Sequence, residues 1–347
     1  MVCTWPLVLL VAVSACAGAD ARDPAERDAP APRRAPALRP DTARLTLAFA
    51  RARELPRLRS LIVQRKGAVV GERYYRGATR TTRANIKSAS KSIISALVGI
   101  AIERGHIEGV HQTLGELLLE AASLDSTTRA ITVGDLLSMR AGLQSTSFDN
   151  YGEWVTSRNW VRHALRQPMV AEPGGPMIYS TGNTHLLSAI LTRTTKMSTY
   201  RFAQRHLATP LGIELRPWQT DPQGIYFGGN DMYLTPRDML KIGTLFLNGG
   251  AVRGRQVVPR AWVDSSFVPR TTSPFNGNRY GYGWWTRNAQ GFDVRYAWGY
   301  GGQFIFIVPE LELVVVATSD AESGRDGGHN WALHRLFEDE IVGAFLE

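Results

Sequence analysis

Strand-like runs gather at the two ends of the globular part of this chain and leave a long helical middle between them. Near the start, Leu61 to Gln64 and Ala68 to Tyr75 are β-rich, and Arg65-Lys66-Gly67 between them reads as a hairpin turn. Near the end, Phe292 to Trp298, Gln303 to Val308 and Leu313 to Thr318 are three more such runs, with Pro309-Glu310 as one connection. Short strands need partners for their backbone groups, so the two ends are expected to meet in one sheet. The expected fold class is α+β: a five-stranded antiparallel sheet from both chain ends, flanked by helices as an αβα sandwich, with a largely helical insertion at about 106–230.

Periodicity places the helices. Ile93 to Ile102 is apolar nearly all round, so a helix there must be buried on every side. Thr132 followed by Asp135 is a capping box, starting a helix through Leu136, Leu137 and Met139 that Gly142 ends. Thr42 to Leu55, Leu186 to Leu191 and Met239 to Leu247 are further helical stretches, and no internal repeat is present.

The first forty residues have a different character. Pro6 to Ala15 is an apolar run of about ten residues, too short to span a bilayer, which takes about 20, but suited to a signal-peptide core. Val13-Ser14-Ala15-Cys16 resembles a bacterial lipobox, in which the cysteine is lipidated, although Met1 to Trp5 lacks the usual basic start. The Ala-, Pro- and Arg-rich stretch that follows cannot build a core. The expected organisation is a signal peptide over 1–15, a lipidated Cys16 with a tether over 16–41, and a globular domain over 42–347. It implies export to the cell envelope or periplasm and membrane contact through the lipid.

Composition then excludes several chemistries. The 347 residues contain two cysteines, Cys3 and Cys16, which leaves no disulfide framework, thiolate metal site or catalytic thiol for the globular part. No metal is expected, since the seven histidines show no paired ligand spacing, and no cofactor is implied. The net charge of +9 resolves into a tether whose charges cancel and a segment, Arg44 to Lys66, with seven bases against Glu54 alone. A basic face toward an anionic polymer or lipid and a solvated amphipathic helix both fit that segment. Nucleic acid is not expected, because no zinc-finger spacing or aromatic-basic signature accompanies the charge.

Only five of the 40 basic residues are lysines. One lies in Ser88-Ala89-Ser90-Lys91, at the mouth of the apolar helix. Residues three apart share a helix face, so the Lys91 amine is expected beside the Ser88 hydroxyl. Burial would lower the lysine pKa until a neutral amine can accept the serine proton. A capping serine with a surface lysine is the alternative, and a lone Ser-x-x-Lys is weak evidence. The loop Glu172 to Asn183 delivers Tyr179 before a helix, and a tyrosine near a lysine can relay protons. Trp298-Gly299-Tyr300-Gly301-Gly302-Gln303 interrupts a strand pattern with glycines, marking a bulge or a close backbone approach. Its free N–H and that of Ser88 could form an oxyanion hole. The aromatic stretch Phe148 to Trp160, with Tyr151, Trp154 and Trp160, could line a pocket or pack in the core. A Gly-x-Ser-x-Gly elbow is absent.

Together these motifs resemble the serine β-lactamase and penicillin-binding-protein superfamily, in the branch with class C β-lactamases, family VIII esterases and 6-aminohexanoate-dimer hydrolases. Leu136 to Leu143, Gly228-Gly229 through Thr235-Pro236-Arg237-Asp238 to Gly250, and Tyr280 to Trp285 add to the likeness, which covers roughly residues 60 to 345. The resemblance implies a β-lactamase/transpeptidase-like fold, with Ser88 as nucleophile, Lys91 as base, Tyr179 as proton relay and the Gln303 N–H in the oxyanion hole. It places Thr181, Tyr300, Gly301 and Gly302 at the substrate, and Trp154 is expected with them. Two positions depart from the pattern: Thr181 stands where asparagine is usual, and Tyr300 where β-lactamases and penicillin-binding enzymes carry a cation. Without that cation a substrate carboxylate loses an obvious partner. Hydrolysis of a small amide or ester through an acyl-enzyme is therefore expected ahead of β-lactam hydrolysis or D-Ala-D-Ala trimming. A non-catalytic protein binding envelope glycan or peptide is the alternative from another class.

Overall fold

The computed structural model describes Met1, residues 41–322 and residues 327–346. The expected signal peptide, Cys16 and most of the tether lie outside the described residues. The fold begins at Asp41, whose carboxylate accepts the N–H groups of Ala43 and Arg44 at 2.9 and 3.1 Å and so caps helix α1 (Thr42–Glu54). Strands β1 (Leu58–Arg65) and β2 (Ala68–Tyr74) follow. Lys66 and Gly67 join them with φ of 48° and 76°, the left-handed pair that suits a twisted two-residue hairpin.

The late part of the chain supplies β3 (Thr271–Thr272), β4 (Arg279–Tyr280), β5 (Trp285–Ala289), β6 (Phe292–Gly299), β7 (Gln303–Val308) and β8 (Leu313–Ser319). All join one antiparallel sheet of eight strands in the order β2-β1-β8-β7-β6-β5-β4-β3. The five expected strands form one end and the centre of it, so the sheet is larger than the expected five. The two-residue strands β3 and β4 are too short for alternation to show, and the aromatic run before β5 carries no period of two. The closing pair is β1 with β8, where Leu61 faces Ala317 and Val63 faces Val315.

Alternation along these strands divides the core in two. Ile62, Ile305, Ile307, Val314 and Val316 point to one face, and Leu61, Val63, Phe304, Phe306, Val315 and Ala317 to the other. The first face is covered by α2 (Ser90–Glu103), α3 (Val133–Leu137), α4 (Thr181–Thr195) and α5 (Pro236–Leu247). α5 lies so close that a Cβ on Gly243 would sit 2.6 Å from Val314 and 2.7 Å from Ile305. The second face is covered by α1 and α6 (His329–Arg335), with Phe337, Ile341 and Phe345 beyond it. The result is the αβα sandwich, with residues 106–230 contributing helices and no strand to the main sheet.

Local signals held in detail with one exception. α2 is buried from Ser90 through Ala101, as its apolar circumference requires. The Thr132–Asp135 capping box starts α3. That helix stops at Leu137 rather than running on to Gly142, because buried Met139 turns left-handed with φ 62° and its carbonyl accepts the Ile178 N–H at 2.8 Å. The early stop ties the α3 exit to the segment leading into Tyr179.

Candidate active site

Ser88 lies in a single 3₁₀ turn, Lys87–Ala89, that runs straight into α2 at Ser90. In a 3₁₀ turn residues three apart eclipse, so the expected Ser88–Lys91 pairing survives a change of helix type. Lys91 Nζ donates to Ser88 Oγ at 3.1 Å. Strand β6 presses on this turn: a Cβ on Gly299 would meet the Ile86 carbonyl oxygen at 2.0 Å, so only glycine lets the strand pass. Gly283 is held similarly close, its carbonyl accepting the Ser92 hydroxyl at 2.6 Å.

The Lys91 amine is 2% exposed and has two further acceptors, Thr181 Oγ1 at 3.1 Å and the Gly229 carbonyl at 2.9 Å. Burial lowers its pKa from the ordinary lysine value to about 7, and no carboxylate opposes that shift. The amine is therefore substantially neutral near physiological pH. Tyr179 lies beside it, its ring centroid 5.2 Å from Nζ. Burial pushes the phenol up to about 12, against a smaller downward pull from the Ser88 hydroxyl. The ring stacks on Trp285 at 5.9 Å and meets the edge of Tyr280 at 6.4 Å.

These groups open into a cavity of about 540 Å³ whose walls include Ser88, Tyr179, Thr181, Tyr300, Trp285 and Trp298. Phe148 and Phe275 also line it, 51% and 67% exposed and with ring centroids 5.4 Å apart. The one cation among the described lining residues, Lys87, is ion-paired to Glu322 at 2.9 Å. A larger cleft of about 760 Å³ between α1 and β2 holds none of the expected site residues.

Three expectations are corrected. Trp154 is not at the substrate: it is fully buried, its Nε1 donates to the Trp160 carbonyl at 3.0 Å, and its ring packs 5.8 Å from His185 and 5.5 Å from Phe227. Of its aromatic stretch, Phe148 and Tyr151 reach the cavity instead. Gly301 and Gly302 do not line the cavity; with φ of 79° and 97° they make the β6–β7 turn that carries Tyr300 to the rim. A Cβ on Gly302 would meet His329, Leu333 and Ser319 at 2.8 Å, away from Ser88. Gln303 opens β7, and its side chain is turned to β8, Nε2 donating to the Ser319 carbonyl at 2.7 Å.

Sequence reasoning missed Ser147, Gly229, Phe275 and Trp285. Ser147 sits in Ser145-Thr146-Ser147, a run of small hydroxyls that clamps the Tyr179 segment: Ser145 Oγ donates to the Tyr179 carbonyl at 2.6 Å and the Gly182 N–H donates to Thr146 Oγ1 at 2.8 Å. A hydroxyl cluster was the only available signal. Gly229 acts through its carbonyl, which no side-chain motif reveals, although a Cβ there would meet Thr184 Oγ1 at 2.2 Å.

Comparison with known proteins bears on the family and the fold. The Beta-lactamase family model matches residues 59–338. A 6-aminohexanoate-dimer hydrolase of Paenarthrobacter ureafaciens is 25% identical over 290 residues, 75% of this chain and 72% of the relative. Among solved structures, a candidate 6-aminohexanoate-dimer hydrolase from Bacillus anthracis superposes with a TM-score of 0.72 at 20% identity, covering 83% of this chain and 79% of its own. An octameric penicillin-binding protein homologue from Pyrococcus abyssi gives 0.67 at 17% identity, covering 87% and 77%. With that span matched, and with the sheet, the buried α2 and the cavity arranged as described, the chain belongs to the Beta-lactamase family and has its hydrolase fold.

Proposed function

We propose that the chain is a serine hydrolase that cleaves a small, uncharged amide or ester through an acyl-enzyme on Ser88. The observation that carries this reading is the Ser88–Lys91 contact at 3.1 Å, made by a buried amine whose pKa is lowered to about 7 and opening on an aromatic cavity. Lys91 takes the Ser88 proton as Oγ attacks the carbonyl, and the Ser88 and Gln303 N–H groups hold the oxyanion. Tyr179, whose ring lies 5.2 Å from the Lys91 amine, passes its proton to the departing alcohol or amine and is reprotonated by the Lys91 ammonium, which leaves the amine neutral when water enters. Water then releases the acyl group. The resemblance to a 6-aminohexanoate-dimer hydrolase supports an amide or ester of modest size. Among the described lining residues the one cation, Lys87, is ion-paired to Glu322, which gives a substrate carboxylate no spare partner there and argues against a β-lactam or a D-Ala-D-Ala terminus.

A fluorophosphonate probe should label the wild type, and Ser88→Ala should abolish the label; labelling that persists sinks the assignment. A panel of nitrophenyl acetate, 6-aminohexanoate dimer, a chromogenic cephalosporin and a D-Ala-D-Ala peptide should show turnover of the first two above the last two. Export and lipid attachment at Cys16 belong to the same proposal, supported by the Val13-Ser14-Ala15-Cys16 sequence.

A further inference from the structure

Once Ser88 is acylated its oxygen carries no proton, and Lys91 must exchange protons by another way. Its two other acceptors differ in kind. The Gly229 carbonyl, at 2.9 Å, has no proton to pass on, whereas Thr181 Oγ1, at 3.1 Å, is a hydroxyl. Thr181 is 4% exposed, and its Oγ1 lies 2.7 Å from Ser147 Oγ. Ser147 Oγ also accepts the Thr181 N–H at 2.7 Å, which fixes its position, and Ser147 lines the cavity. Lys91, Thr181 and Ser147 thus form an unbroken line of donors and acceptors from a buried amine to the space where substrate and water meet.

We infer that Thr181 and Ser147 are a proton relay that serves Lys91 during release of the acyl group. The inference rests on the acyl-enzyme reading above. As a cavity water attacks the acyl carbonyl, its O–H bond breaks and the proton passes to Ser147 Oγ. The Ser147 proton moves to Thr181 Oγ1, the Thr181 proton moves to the neutral Lys91 amine, and both hydroxyls end as they began. Collapse of the tetrahedral intermediate breaks the bond from the acyl carbon to Ser88 Oγ. The ammonium of Lys91 returns its proton to that oxygen at 3.1 Å, restoring free serine and neutral amine. No oxidant, metal or other reactant is required.

Burst kinetics on the full chain with nitrophenyl acetate separate the steps, because nitrophenolate leaves without protonation and the proton that Lys91 took from Ser88 passes to solvent before water attacks. Ser147→Ala should slow the steady-state phase about tenfold or more while changing the initial burst less than about twofold. Ser147→Thr, which keeps the hydroxyl, should restore the steady state. Thr181→Val should match Ser147→Ala, and the double variant should be no slower than either single one. Equal losses in both phases, or no loss in either, would overturn the relay and leave the acyl-enzyme intact. If mass spectrometry finds no acetyl adduct on Ser88 of the wild type at any pH, the acyl-enzyme reading fails and the relay fails with it.

Discussion

At Lys91 a residue type that ordinarily carries charge is placed where charge is costly, 2% exposed and with only neutral oxygens around it. Its lowered pKa follows from that burial, and the sign of the pH dependence follows from the pKa. The amine is protonated and idle below about 7 and neutral above it. Acylation of Ser88 should therefore fall about tenfold per pH unit below that midpoint and level off above it. Burst rates of nitrophenyl acetate measured from pH 5 to 9 check this, and a flat profile through pH 7 would remove Lys91 as the base. Lys91→Arg keeps a permanent cation and should lose about 10²–10⁴-fold at every pH in that range. The Ser88–Lys91 pair was legible in the sequence because three residues of separation fix proximity within one helical turn. Ser147 and Gly229 were not, since they reach the same centre from sequence separations of 34 residues to Thr181 and 138 residues to Lys91.

Between the elements, the aromatic residues divide by depth. The short helix Tyr151–Thr156 starts at the cavity, so Tyr151 lines it, while Trp154, one turn on, points into the layer where α4 presents His185. His185 is itself buried and bonds Asp221 at 3.1 Å, which makes Trp154 part of the packing behind α4. Trp154→Ala should cost about 3–5 kcal/mol of stability in denaturant unfolding. Phe275→Ala, at an exposed rim position, should leave stability within about 0.5 kcal/mol and raise KM for an aryl ester. A Trp154 variant that kept its stability and lost only substrate affinity would reverse the correction. The sequence could not make this division, because core and pocket aromatics have the same composition and differ only in what lies opposite them. The strands were legible where they were long and alternating, and illegible at β3 and β4, where two residues carry no pattern.

Across the whole molecule, four of the seven bases in the basic segment join the two ends of the fold. Arg44 donates to the Gly343 carbonyl at 2.8 Å, Arg51 pairs with Glu340, Arg59 reaches the Asp320 carboxylate at 2.7 Å, and Arg65 lies 4.7 Å over the Phe345 ring. The cysteines bear on a different question, where the chain resides. If Cys16 carries lipid as proposed, an alkyne-palmitate label should enter the wild type in a bacterial host and be absent from Cys16→Ser; equal labelling of both would end that proposal. The amino-acid sequence alone determined what depends on near neighbours: the strand runs, the buried α2, the capping box of α3 and the serine and lysine sharing one turn. Only the tertiary structure decided what depends on distant segments meeting. It set the eight-stranded closure, the burial that neutralises Lys91, the Thr181–Ser147 contact and the separation of Trp154 from the cavity. The physical reason is that periodicity and capping act within a few residues, whereas burial and hydrogen-bond partners are properties of whatever the folded chain brings alongside.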